Sequence, residues 1–211
     1  MRGYAAGRER AAGPGAEVEA RCEFCGVEID TDQHGHLVDV PRRSLLCVCR
    51  ACYLLFTHEG AGTLQSGSGV RFRAVTDRYL RVSDALNPGI LDALQLPTGL
   101  AFFFTNSDTG RTTAFYPSPA GATESELPLD AWTAIVSAIP QLGDLAADVE
   151  GLLVRRTELR ADALIVPIDA CYELVGRIRR NWRGFHGGDD VWREIDDFFA
   201  RATERAAAAA R

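Results

Sequence analysis

The chain has 211 residues, 46% of them hydrophobic and 25% charged, with a formal net charge of −6. That length suits one compact domain plus a small appended module, and the acidic balance argues against general nucleic-acid binding. No apolar run approaches the roughly 18 residues of a membrane-crossing helix, and all 23 basic residues are Arg, which removes Schiff-base catalysis and a Walker-type phosphate loop because both need a Lys amine.

Residues 1–20 are rich in Gly and Ala, with few large apolar side chains, and read as a disordered tail. They contain no apolar stretch of the kind that builds a secretory signal, so a cytoplasmic location is expected. G-x-G-x-x-G and G-x-S-x-G are absent, which leaves out the usual Rossmann and hydrolase entry points.

Residues 21–60 hold five of the six cysteines. Clustered Cys in a chain expected in the cytoplasm reads as metal binding or redox chemistry rather than a disulfide framework. Cys22-Glu23-Phe24-Cys25-Gly26 is one C-x-x-C knuckle and Cys49-Arg50-Ala51-Cys52 a second, with 23 residues between them. Two such pairs place four thiolates tetrahedrally around one ion, at about 2.3 Å for zinc. Gly26 supplies the open backbone that follows a knuckle. Residues 44–48 read as a strand and 51–56 as a helix start, whose amides favour thiolate charge. Knuckle, hairpin and a helix bearing the second pair predict a treble-clef-like or zinc-ribbon-like four-cysteine module with ligands Cys22, Cys25, Cys49 and Cys52. A segment this short rarely folds unaided, so Zn2+ is expected to be structural, and the module is expected to present its Tyr53 and Phe56 helix to a partner or to dock on the larger domain.

Three neighbouring residues have two readings each. Cys47 is either a spare thiol packed behind the site or a substitute for one of the four. His34 and His36 are either polar residues at a hairpin tip or ligands, and full ligation by four thiolates leaves them unneeded. A rubredoxin-like iron electron carrier is the alternative use of the two knuckles, although the second lacks the Pro and Gly usual there. An HNH-type nuclease needs a metal set that His36 and His58 do not supply.

Residues 61–69 read as a flexible linker by their Gly and Ser content, residues 70–205 as an α+β domain and 206–211 as an Ala-rich tail. Within the domain, 71–75 alternates as a strand. Asn87-Pro88-Gly89 turns into a short helix that Pro97 stops. Residues 100–104 and 112–116 are apolar strands joined by a turn at 106–110. Asp130 caps a helix with Trp132, Ile135, Val136 and Ile139 on its apolar face. Residues 151–154 and 163–166 are two further strands. Asp169 caps a helix carrying Leu174, Val175 and Ile178, and a last helix starts near Asp189. The prediction is a mostly antiparallel or mixed sheet of four to five strands, covered on one face.

The most distinctive stretch of this domain is 114–125. It leaves a strand through Pro117 and Pro119 into small and hydroxyl residues, and loops at strand ends commonly carry function. Tyr116, Ser118, Gly121, Thr123 and Glu124 are its candidate functional residues, and an enzyme using this loop is a further alternative. The plainer reading is turn chemistry, with Thr123 and Glu126 as a capping box. The basic run at 177–183 could take a phosphate or an acidic surface. Residues 150–211 hold 11 Arg against 11 acidic residues, so internal pairing is expected.

Several segments together resemble an uncharacterised bacterial family associated with gene clusters of actinobacterial-type nickel–iron hydrogenases. They are the first knuckle, Leu45-Leu46-Cys47-Val48-Cys49-Arg50-Ala51-Cys52, Ala101-Phe102-Phe103-Phe104, Phe115-Tyr116-Pro117-Ser118-Pro119-Ala120-Gly121-Ala122-Thr123-Glu124-Ser125, Val166-Pro167-Ile168-Asp169-Ala170-Cys171-Tyr172 and Asn181-Trp182-Arg183-Gly184. The resemblance spans most of residues 21–200. It carries no established activity and no catalytic residues. It implies an accessory role in assembly, maturation or protection, with a hydrogenase subunit or maturation factor as the protein partner.

Overall fold

The computed structural model describes residues 20–29, 34–57, 70–94, 96, 99–118, 121–127, 129–157, 161–184 and 187–209. The expected tail at 1–19, the linker at 61–69 and His58 lie outside the described residues. The chain divides into two compact units, 1–75 and 76–211.

In the first unit, β1 (Gly35–Asp39) and β2 (Ser44–Val48) form an antiparallel hairpin that leads directly into α1 (Arg50–Leu54). Strand β3 (Phe72–Ala74) pairs antiparallel with the other edge of β1, giving the order β2-β1-β3. The segment 71–75, expected to open the larger domain, therefore belongs to the metal module, and the boundary falls after Val75. Asp39, at the end of β1, is buried. It accepts the amide of Arg42 and lies 3.7 and 3.6 Å from the guanidinium groups of Arg42 and Arg71. Val38, Val40, Phe72 and Val75 of this unit are buried, and Cys22, Leu37, Val48 and Cys52 form a cluster of buried residues. Two residues of that cluster are knuckle cysteines, so the core and the metal site share side chains.

The second unit contains β4 (Leu80–Arg81), α2 (Pro88–Ala93), β5 (Leu100–Asn106), β6 (Arg111–Ser118), β7 (Gly121–Glu126), α3 (Leu129–Ala138), β8 (Glu150–Arg156), β9 (Ala161–Pro167), α4 (Ile168–Asn181) and α5 (Asp189–Ala209). Its sheet has six strands, not four to five, in the order β4-β9-β8-β5-β6-β7, and every neighbouring pair is antiparallel. The additional strands are β4, only two residues long, and β7, an edge strand with exposed Thr123, Glu124 and Ser125. Neither offers the apolar alternation that announces a strand.

The sheet is also covered on both faces, not one. Ala101, Phe103, Leu152, Val154, Ala163 and Ile165 pack with Ile90 of α2 and with Ile135 and Ile139 beside α3. The alternate residues of the same strands face α4 and α5: Phe102 meets Tyr172 edge to face at 5.6 Å, and Arg155 lies 4.3 Å over the ring of Phe199. Phe102, Phe103 and Phe104 are all fully buried. A strand buried on both sides needs an unbroken apolar run, and each such side chain contributes about 1.5–3 kcal/mol on leaving water.

Local signals act largely as expected. Asn87 caps α2 by accepting the Ile90 amide at 3.0 Å, and Asn106 accepts the amides of Asp108 and Thr109 in the β5–β6 turn. Asp130 and Asp169 sit inside the first turns of α3 and α4 rather than at caps; the N-cap of α4 is Pro167. Arg177 bonds Glu173 of its own helix and Glu194 of α5, the internal pairing expected for the basic run.

Candidate metal centre

The first knuckle is a closed turn. The Gly26 amide donates to Cys22 O at 2.8 Å, the Cys22 amide donates to Val27 O at 2.7 Å, and Gly26 has φ of 79°. A left-handed backbone of this kind costs Gly little. Glu23 ties the turn to the edge of β2: its amide donates to Cys47 O at 2.9 Å, and its carboxylate accepts the Cys47 amide at 2.7 Å. The second knuckle comes from the strand-to-helix junction. Cys49 is the extended N-cap of α1, and Cys52 lies in its first turn, buried against Leu37 and Val48.

These elements bring together the four predicted sulfurs, whose ligand atoms all lie within 4.8 Å of one another. Cys25 Sγ and Cys49 Sγ are 3.9 Å apart. A tetrahedral zinc tetrathiolate with bonds of about 2.3 Å has sulfurs about 3.8 Å apart, so the observed edge fits an ion without rearrangement. The Cys25 amide donates to Cys22 Sγ at 3.4 Å.

The electrostatics set Cys22 apart from Cys52. Burial works against ionising Cys22, but the amides of Cys49, Cys25 and Phe24 outweigh it and lower this thiol to about 6. Burial pushes Cys52 up, and the sulfurs of Cys25, Cys49 and Cys22 push it further. Amides thus favour the Cys22 thiolate, and a cation among the sulfurs offsets the cost of ionising Cys52.

Aromatic packing braces the centre. Phe24, Phe56 and Phe72 meet pairwise edge to face at 5.3–5.6 Å. Tyr53 donates its hydroxyl to Val75 O at 2.7 Å and lays its ring on Gly35, where an added Cβ would stand 2.4 Å from Tyr53 Cδ2. Tyr53 and Phe56, on the helix expected to meet a partner or dock on the larger domain, are half-buried. Among the described residues of the module, the exposed large apolar side chains are Phe24, Val27, Leu54 and Leu55. The Gly35→Ala variant should lose about 1–3 kcal/mol, the range for overpacking a tight contact, and shed its metal at a lower denaturant concentration than the wild type. An unchanged release midpoint would contradict the Gly35–Tyr53 contact.

Cys47 is grouped by the structure with His34 and His36, not with the four sulfurs. One ligand atom from each of the three lies within 4.8 Å of the others. The alternation of the two His was visible in sequence; the register that sets His36 opposite Cys47 was not.

The described residues of the stretch 114–125 lie in β6 and β7, which pair antiparallel, so Thr123 and Glu126 stand in a strand and form no capping box. Tyr116 pairs with Thr123, Phe115 with Glu124 and Ser118 with Gly121. Ser118 and Tyr116 are half-buried, and burial raises the Tyr116 phenol. No His lies among the described residues of this unit, and its cysteine, Cys171, is fully buried, which pushes its thiol up. A shallow cleft between β9 and α5 includes Arg155, Asp162 and Asp196, but these charges already pair with one another.

Fold and site together define a four-cysteine cluster able to hold a metal ion, followed by an antiparallel α+β unit. The chain belongs to the family of unknown function DUF5947, whose family model matches residues 21–206, from just before the first knuckle to near the end of α5. No curated protein and no solved structure matches it. Among the described residues no helix is long and apolar enough to cross a membrane.

Proposed function

We propose that this is a cytoplasmic metal-binding accessory protein whose treble-clef-type module holds a structural zinc at Cys22, Cys25, Cys49 and Cys52 and meets a protein partner. The convergence of the four sulfurs carries the reading: four protein thiolates close the coordination sphere, which is the character of a structural site. Zinc is favoured over iron because Cys49-Arg50-Ala51-Cys52-Tyr53 lacks the Pro and Gly of iron tetrathiolate knuckles. Phe24, Val27, Leu54 and Leu55 are between 39% and 59% exposed and all belong to the knuckle or the α1 segment, so the metal would fix apolar side chains for a partner to bury.

The partner class comes from the sequence resemblance: a nickel–iron hydrogenase subunit or one of its maturation factors. Two measurements on protein from its own host test the reading. Elemental analysis should find zinc without iron, in colourless protein; iron with intense ferric-thiolate absorption would establish the electron-carrier alternative instead. Affinity capture should recover a hydrogenase subunit or maturation factor and lose it in a Leu54→Ser, Leu55→Ser variant. Capture lacking any such protein would defeat the hydrogenase assignment and leave the zinc site standing.

A further inference from the structure

The geometry points to a second transition-metal site in the first unit, formed by His34, His36 and Cys47 and distinct in chemistry from the four-sulfur cluster. The hairpin builds it. His36 and Cys47 are direct cross-strand partners, and His34 lies two residues from His36. Alternation along a strand puts residues i and i+2 on one face, and cross-strand partners have Cβ atoms about 4.5–5.5 Å apart. Gly35, between the two His, turns its open side to the ring of Tyr53. Both imidazoles are thereby set on the opposite face, away from Tyr53. The two rings stand 4.8 Å apart at 88° to each other.

Hydrogen bonds within the module hold the backbone that carries His36 and Cys47. Cys47 is bonded through both its amide and its carbonyl to Glu23, and His36 O accepts the Val75 amide at 3.0 Å. With the donor atoms within 4.8 Å of one another and all three residues half-buried, side-chain rotation of about 1 Å closes them on an ion with bonds of about 2.0–2.3 Å. Two imidazoles and one thiolate suit zinc and neighbouring borderline ions rather than magnesium or calcium. Three protein ligands leave the fourth tetrahedral position to water or to an incoming donor, the open arrangement that the four-sulfur site lacks. On binding, Cys47 releases its thiol proton to solvent and forms one metal–sulfur bond.

The test uses the full chain with its four-sulfur site already filled with zinc. Titration with Co2+ alone should add one ion per chain, with ligand-field bands of a four-coordinate centre and the charge-transfer band of a single thiolate. Added zinc should reverse the spectrum. The Cys47→Ser variant should lose the charge-transfer band, and His36→Gln and His34→Gln should each weaken Co2+ uptake, while all three keep their original zinc. If Cys47→Ser sheds that zinc as well, the two His variants, which leave every cysteine intact, decide. Absence of a cobalt spectrum in the wild type, or its persistence unchanged in both His variants, overturns the site. Neither result touches the four-sulfur cluster, whose failure would show as missing zinc before any cobalt is added.

Discussion

Stripping the metal with a strong chelator should abolish amide-exchange protection at Leu37, Val38 and Val48 and leave that at Phe102, Phe103 and Leu152 intact. One buried cluster of the first unit comprises Cys22, Leu37, Val48 and Cys52, so two of its four residues are ligands. Without the ion, thiols such as Cys25 and Cys49, 3.9 Å apart, lose the charge that draws them together, and burial keeps Cys52 protonated. A structural zinc contributes about 10–16 kcal/mol of apparent folding free energy in small modules, more than the entire stability of many domains. Cys22→Ser should act in the same direction, because it removes a sulfur that the backbone amides of Cys49, Cys25 and Phe24 stabilise as thiolate. The check is hydrogen exchange on chelated protein whose metal loss is verified by elemental analysis. Retained protection in the hairpin would show that the strands, not the ion, hold this unit.

What could be read from the sequence follows the range of each signal. C-x-x-C spacing is local, so all four sulfurs were identified before any fold was known. The His34, His36 and Cys47 group depends on which residue of β2 faces which residue of β1, and register is set by pairing across a turn that composition does not encode. The four inner strands β5, β6, β8 and β9 announced themselves as apolar runs. Those runs also carried information that one-sided covering missed: Leu152-Leu153-Val154 and Leu164-Ile165-Val166 do not alternate, and a strand without alternation is buried on both faces. β7 stayed hidden because an edge strand of Gly, Ala, Thr, Glu and Ser looks like a loop. β3 was recognised as a strand but given to the wrong unit, since a strand's own pattern does not say which sheet will take it.

The division of the chain into two compact units gives the second large effect its readout. Phe103 is fully buried, stacks on Trp132 at 6.4 Å, and stands in register with Ala114 on one side and Leu152 on the other. A methyl group on Ala114 cannot spread into the space that a lost ring would leave, and Leu152 is held in the same closed layer with Ile135 and Ile139. Phe103→Ala should therefore cost about 3–5 kcal/mol, the transfer free energy of the ring plus an uncollapsed cavity. All three tryptophans, Trp132, Trp182 and Trp192, lie in the second unit, so the urea transition followed by tryptophan fluorescence reports that unit alone. Its midpoint should fall sharply in the variant, while metal content and the exchange protection of Leu37 and Val48 stay at wild-type values. A loss under about 1 kcal/mol would mean that the layer beneath α3 repacks freely, and simultaneous loss of metal would mean that the two units fold as one.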